Sequence, residues 1–257
     1  MSAVVSNPDV QFGQTRHRLI VERLPPVSEE ELRHAKSMDL DPPRWLRLLG
    51  LETSRQNVHC LARRTRAVKR ILDIAVASLL LVLAIPILIV AAIAIKLTSP
   101  GPIFFTQFRA GLFGEPFRIF KLRTMHLAAG NDSPTQVQAT DNRIFAVGKF
   151  LRKSRIDELP QLVNVLLGDM SMVGPRPECI EYMEELFLKV PDYPQRLGLK
   201  PGLTGIAQIE GGYANDLDSY RRKVAYDLIY LQNCCFGNDL RILARTTKVV
   251  CTGFGAL

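Results

Sequence analysis

The 257-residue sequence predicts a helix-rich α+β fold carried behind one apolar segment of membrane length. Three observations lead there. Residues 74–95 form a run of 22 with no charged side chain. After it, short β-rich stretches bounded by Gly and Pro alternate with longer stretches of helical periodicity. Before it, residues 1–68 are polar and rich in arginine. Hydrophobic residues make up 47% of the chain and charged residues 23%, which excludes a wholly disordered protein. The formal charge of +8, with a pI near 9.4, favours anionic partners such as phosphorylated substrates, lipid headgroups or nucleic acid. Aromatic residues are 7% with a single Trp, too sparse for stacking on many bases, so nucleic acid is set aside.

Taken in order, the polar leader 1–68 is punctuated by Pro pairs at 25–26 and 42–43. Ser28, followed by three glutamates, reads as a capping box that opens a short helix. Arg44-Trp45-Leu46-Arg47-Leu48-Leu49 suits either a membrane surface or packing against the main body. No apolar stretch of signal-peptide type opens the chain.

The segment 69–98 carries the apolar run, and about 20 apolar residues span a bilayer core. A core helix of a soluble protein normally keeps a polar face over six turns, and this one has none. Basic residues flank it on both sides: Arg63, Arg64, Arg66, Lys69 and Arg70 before, Lys96, Arg109, Arg118, Lys121 and Arg123 after. Positive charge marks the cytoplasmic side. Pro86, just past the middle, removes a backbone hydrogen bond and bends a helix. Each half would rise only roughly 16 Å, about half the core thickness. A re-entrant helix-break-helix that bends at Pro86 meets both observations, as does, less fully, a kinked single-pass anchor.

Residues 99–257 form the third part. Ser99-Pro100-Gly101-Pro102 is a turn. Strands are expected over 103–107 and 117–122, separated by a turn around 111–116. A loop follows over 127–142. Helices are expected over 144–153 and from Asp157 to about Leu167. A short strand at 171–173 leads to Gly174-Pro175-Arg176-Pro177. Amphipathic helices are expected over 178–189, 217–233 and 240–250. Pro201–Gly205 reads as a turn feeding a strand at 206–209. The five cysteines show no CxxC pair, which fits a reducing compartment and no zinc site. No histidine follows His126, so a histidine triad in the second half is excluded.

Several short motifs could carry chemistry. In Ser154-Arg155-Ile156-Asp157-Glu158-Leu159-Pro160-Gln161 two adjacent carboxylates open a helix, whose positive end favours their ionised form. Such a pair can hold a hard cation together with phosphate oxygens, and an ionised Asp can attack phosphorus. Simple helix capping would use the same residues. Arg152, Lys153 and Arg155 crowd the same stretch. Arg176, fixed between two prolines, offers a fork suited to phosphate. Alternation places Lys121 and Arg123 on one face of their strand. The glycines of Pro201-Gly202-Leu203-Thr204-Gly205 would let the backbone approach a ligand. There is no Walker loop and no GxGxxG.

These motifs, in this order, resemble the bacterial sugar transferases of the monotopic polyprenyl-phosphate phosphoglycosyl transferase superfamily. The matching pieces are KRILDIAVASLLLVLAIPILIVAAIAIKLTSPGPIFFTQFRAG, FRIFKLRTM, IFAVGKFLRKSRIDELPQLVNVLLGDMSMVGPRPE, KPGLTGIAQIEG and DLRILARTTKVVCTGFGA. The resemblance covers Lys69 onward and leaves 1–68 unexplained. It implies a re-entrant membrane segment and a small cytoplasmic catalytic domain with amphipathic interfacial helices. It implies transfer of sugar-1-phosphate from a UDP-sugar to polyprenyl (undecaprenyl) phosphate, releasing UMP. That step initiates exopolysaccharide, capsule, O-antigen or glycoprotein glycan synthesis. Asp157 and Glu158 match the family's catalytic dyad, with Asp157 as nucleophile and both residues holding Mg²⁺. Arg152 and Arg176 match phosphate-contacting positions, and Lys121 lies in a matching basic motif. Phospholipid is an implied partner, the cytoplasmic face of the bacterial inner membrane the implied location, and self-association is left open. One departure stands out: the family often has Ser-Pro at the membrane break, and this chain has Ile85-Pro86.

Overall fold

The computed structural model describes residues 63–126, 141–190, 193–210 and 217–252, and the expectations for the leader and most of the 127–142 loop fall outside them. The described part opens with a 36-residue helix, α1 (Arg63–Thr98). It is long and apolar enough to cross a membrane. It runs through Pro86 without interruption, where the sequence reading put a break. Proline removes one backbone bond and bends a helix, but the flanking turns still carry it.

The exposure pattern of α1 reverses that of a soluble amphipathic helix. Ala77, Ala84, Ala91 and Ile95 face the protein and are buried. The larger side chains point away: Val82, Leu83, Ile89, Val90 and Ile93 are more than half exposed. Small residues let the helix lie close to its neighbours, and the bulk of its apolar surface is left for another apolar medium.

Polar contacts fix α1 at both ends. Near its start, Lys69 Nζ donates to Asp239 Oδ2 at 2.7 Å, to the Tyr230 hydroxyl at 2.9 Å and to Val173 O at 3.1 Å. Arg70 donates to the carbonyls of Val165 and Leu166. Asp73 Oδ1 accepts from Ser171 Oγ and from the Met172 N–H, both at 2.9 Å. Beyond its end, Arg123 donates to the carbonyls of Ser99 and Pro100, each at 2.7 Å. Lys69, Arg70 and Arg123 therefore serve internal contacts. Arg123 is buried and does not share the role of Lys121, because the strand ends at Leu122 and alternation ends with it.

The hairpin β1 (Phe104–Ala110) and β2 (Pro116–Leu122) is antiparallel, with Phe105 opposite Lys121 and Phe108 opposite Arg118. Then come α2 (Ala146–Lys153), a single 3₁₀ turn (Ile156–Glu158) and α3 (Gln161–Leu167), which ends on left-handed Gly168. The strand β3 (Ser171–Val173) leads to α4 (Ile180–Lys189) and the short α5 (Tyr193–Arg196). Next are β4 (Gly202–Thr204), α6 (Ile206–Glu210), α7 (Leu217–Asn233) and α8 (Phe236–Thr252). The expected turn at 201–205 is thus a strand, and the expected strand at 206–209 is a helix. β4 pairs in parallel with β3, Ser171 opposite Gly202 and Val173 opposite Thr204. A three-residue strand with a glycine at its start carries too little pattern to be seen locally. The helix α7, expected to be amphipathic, is buried on all sides from Val224 to Asn233. It fills the centre of the core with Met170, Met183, Tyr193 and Ile242.

Candidate active site

The chain leaves α2 through Arg155, which holds a left-handed conformation at φ 57°. Such a residue costs about 1–2 kcal/mol against the right-handed form. It turns the backbone sharply, so that the 3₁₀ turn Ile156–Glu158 presents its two carboxylates inward. Asp157 is 8% exposed. The α-helix starts only at Gln161, so the pair does not sit in its first turn.

Glu158 is the charge hub. Its Oε1 accepts from Lys121 Nζ at 2.7 Å and from Arg176 Nη2 at 2.8 Å. Burial pushes its carboxyl up, but Arg176 and Lys121 together outweigh that and hold it well below the usual range. Burial lowers the Lys121 ammonium in spite of Glu158. Asp157 is the opposite case. No hydrogen bond reaches its carboxylate among the described residues. Burial first, and the Glu158 charge second, push it up to about 6. The sequence expectation of a carboxylate kept ionised by a helix end is therefore corrected: desolvation and a like charge dominate here.

Arg152, on the last turn of α2, donates from Nε to Thr124 Oγ1 at 2.8 Å, and its charge acts on Asp157. The approach of α2 to this strand end depends on Gly148. A Cβ there would lie 2.1 Å from Thr124 O. Lys153 is exposed and stands outside the cluster.

Arg176 arrives on the loop after β3. Gly174 N donates to Thr204 O, and Gly202 N donates to Pro175 O, both at 2.8 Å. A Cβ on Gly202 would lie 2.0 Å from Gly174 N, and one on Gly205 would lie 2.2 Å from Gly174 O. The glycines of the 201–205 motif thus let two backbones meet, which replaces the expectation that they admit a ligand. A second clamp holds the loop from behind. Arg196 Nη2 donates to Arg176 O at 2.9 Å, and Arg196 Nε to Asp227 Oδ2 at 2.8 Å. Both partners are almost fully buried.

Asp157, Glu158, Lys121, Arg152 and Arg176 therefore converge, while Pro86 lies exposed in the middle of α1. Sequence reasoning missed Thr124, Arg196 and Asp227. Thr124 stood inside a quoted motif, but no local signal ties Arg196 to a residue 31 positions on. The donor set suits a hard cation shared with a ligand. Asp157 keeps both oxygens unengaged among the described residues, and Glu158 commits only Oε1. No group of three or more His, Cys, Asp or Glu gathers among the described residues, so any such ion would draw its remaining oxygens from substrate and water.

A sequence model of the bacterial sugar transferase family matches residues 64–253. The chain is 46% identical over 186 residues to the UDP-glucose:undecaprenyl-phosphate glucose-1-phosphate transferase of Caulobacter vibrioides, covering 72% of this chain and 70% of that one. It is 43% identical over 180 residues to a Klebsiella pneumoniae protein of the same description, covering 69% and 39%. It is 41% identical over 189 residues to the UDP-N-acetylgalactosamine-undecaprenyl-phosphate N-acetylgalactosaminephosphotransferase of Aeromonas hydrophila, covering 74% and 45%. The match therefore spans less than half of the last two relatives.

Proposed function

The chain belongs to the bacterial sugar transferase family, and from that membership we propose that it transfers sugar-1-phosphate from a UDP-sugar to undecaprenyl phosphate, with release of UMP. One observation carries the reading to the residues. Of two adjacent carboxylates, Glu158 is tied to two cations and the buried Asp157 to none among the described residues. A structural carboxylate would be satisfied, whereas an unpaired one is a nucleophile in waiting.

In the first half-reaction an Asp157 oxygen bonds to the sugar-bearing β-phosphorus. The bond from that phosphorus to the bridging oxygen breaks, and UMP leaves with the electron pair. In the second, an oxygen of the lipid phosphate attacks the same phosphorus, and Asp157 recovers its carboxylate. The guanidinium groups of Arg152 and Arg176, with the Lys121 ammonium, offset charge on the diphosphate. Glu158 holds two of these cations in place before substrate arrives. Asp157 and Glu158 would hold Mg²⁺, which neutralises phosphate charge and that of departing UMP.

The placement of α1 supports a site at the cytoplasmic face of the bacterial inner membrane. Both ends of the helix are bonded to the same folded body. A single crossing would carry those ends to opposite sides of about 30 Å of hydrocarbon. Entry and return on one face, with a bend at Pro86, keeps both ends with the domain. The large outward side chains then contact phospholipid. The product, a polyprenyl-diphosphate sugar, would start a surface glycan.

The test is UMP release by detergent-purified protein with Mg²⁺, undecaprenyl phosphate and a panel of UDP-sugars. UDP-glucose and UDP-N-acetylgalactosamine come first, because the relatives' descriptions name both. Release with one donor, abolished in Asp157→Asn, is expected. Equal release by that variant would remove Asp157 as nucleophile, and no release with any donor would remove the function.

A further inference from the structure

Gln161 is the residue at this site that the mechanism leaves unused. It is 3% exposed, and its Nε2 is buried with no hydrogen-bond partner among the described residues. A buried carboxamide N–H left unpaired costs free energy, and native proteins rarely keep one. Its position is set by the backbone. Helical bonding of the i−3 kind runs through Leu159 to Ile156, Leu162 to Leu159 and Val163 to Pro160. Leu159 and Pro160 themselves have right-handed helical dihedrals. Gln161 therefore stands one turn beyond the dyad, i+3 from Glu158 in the 3₁₀ register and four residues on from Asp157. Two polar groups without a hydrogen-bond partner among the described residues, the Asp157 carboxylate and Gln161 Nε2, are carried about one turn apart yet do not bond to each other.

Resting on the proposed transferase reading, we propose that Gln161 Nε2 donates to a non-bridging oxygen of the sugar-bearing phosphate while that phosphate is bonded to Asp157. The carboxamide suits this place better than a fourth cation. Arg152, Arg176 and Lys121 already oppose the charges of the dyad, and a neutral donor adds direction without drawing the Asp157 carboxylate into an ion pair. The Asn164 side chain, one turn further on, is excluded from the role. Its Oδ1 accepts from the Phe120 N–H, and its Nδ2 donates to Arg118 O and Asp169 Oδ2.

The experiment compares wild type, Gln161→Met, Gln161→Glu and Asp157→Asn in the full chain. The readouts are the rate of labelled phospho-sugar adduct formed from UDP-glucose or UDP-N-acetylgalactosamine, the KM for that donor, and the melting temperature in detergent. Methionine keeps the shape and removes the donor. Adduct formation in Gln161→Met should slow about 10²-fold, as for loss of one donor to a developing oxyanion, with KM little changed. Its melting temperature should equal or exceed that of wild type, because an unsatisfied buried donor has gone. Gln161→Glu should be slower still, since it places a negative charge beside the phosphate. A drop in melting temperature that parallels the activity loss in Gln161→Met would mean a structural role and overturn the proposal. So would a wild-type rate in that variant. If wild type forms no adduct with either donor, or Asp157→Asn forms it normally, the covalent reading itself fails and takes this proposal with it.

Discussion

Replacing Gly148 by alanine adds one methyl group to the middle of a helix, a change that ordinarily stabilises by up to about 1 kcal/mol. Here the new Cβ would lie 2.1 Å from Thr124 O, 2.9 Å from its carbonyl carbon and 3.0 Å from its Cα. All three are backbone atoms, so no side chain can rotate away. Relief requires α2 and the end of β2 to separate by on the order of 1 Å, up to normal contact distance. Overpacking of this kind costs about 1–3 kcal/mol, which the helix preference offsets in part. A net loss of about 1–2 kcal/mol lowers the melting temperature by several degrees in a chain of this size. The same separation pulls Arg152 and Thr124 apart, and a displacement of about 1 Å near the reacting groups can cost 10²-fold in rate. Gly237→Ala is the matched control, because its Cβ would meet nothing within 4 Å. Thermal melts and UMP release on both variants decide the matter. Gly148→Ala should lose stability and rate, and Gly237→Ala should keep both. If Gly148→Ala melts as high as Gly237→Ala and turns over normally, the contact between α2 and Thr124 is not as described.

Two further predictions concern charge. Arg196 and Asp227 form an almost fully buried pair that also tethers the Arg176 carbonyl. Removing one partner, as in Asp227→Leu, should cost about 3–5 kcal/mol by stranding the other charge, and Arg196→Met with Asp227→Leu should cost much less than the two single changes summed. Melting curves that show simple additivity would mean that the pair is not coupled. Burial and the Glu158 charge hold the Asp157 carboxyl at about 6, above its ordinary value, so it is protonated more at a given pH. In the proposed mechanism only the carboxylate attacks, so kcat/KM for the UDP-sugar should fall as pH drops through about 6. With Mg²⁺ on the proposed carboxylates, raising its concentration should move that fall to lower pH, because cation and proton would compete for the same oxygens. A kcat/KM profile flat from pH 7.5 to pH 5 would refute the assignment.

The parts of this molecule legible in the sequence are those written in adjacent residues. The apolar run of α1, the carboxylate pair, the proline-flanked arginine and the longer helices all carry their signal within one or two turns. The structure brings Asp157, Glu158, Lys121, Arg152 and Arg176 close to one another. What stayed hidden depends on partners far along the chain. Arg123 looked like a second basic residue on the face of Lys121, and only the fold shows that it grips the end of α1. The glycines at 202 and 205 have the same freedom whether a ligand or another strand approaches, and Gly174 decides which. The parallel pairing of β3 and β4 joins three residues to three across a gap that no periodicity can bridge. The orphan amide of Gln161 is likewise a property of its surroundings, since a glutamine at that place in the sequence reads as an ordinary polar residue.

The grip on both ends of α1 makes the helix part of the folded body as well as its apolar surface. Ala77 belongs to the main core and Ile95 to the smaller cluster with Leu122, Phe145 and Leu151, so deleting the helix would open both. Folding and insertion into lipid then become linked equilibria, with the bilayer acting as a ligand that binds the native state. Acyl-chain length and headgroup charge would act on the melting temperature as ligand concentration does elsewhere, and a detergent that solvates α1 poorly would lower it without touching one catalytic residue.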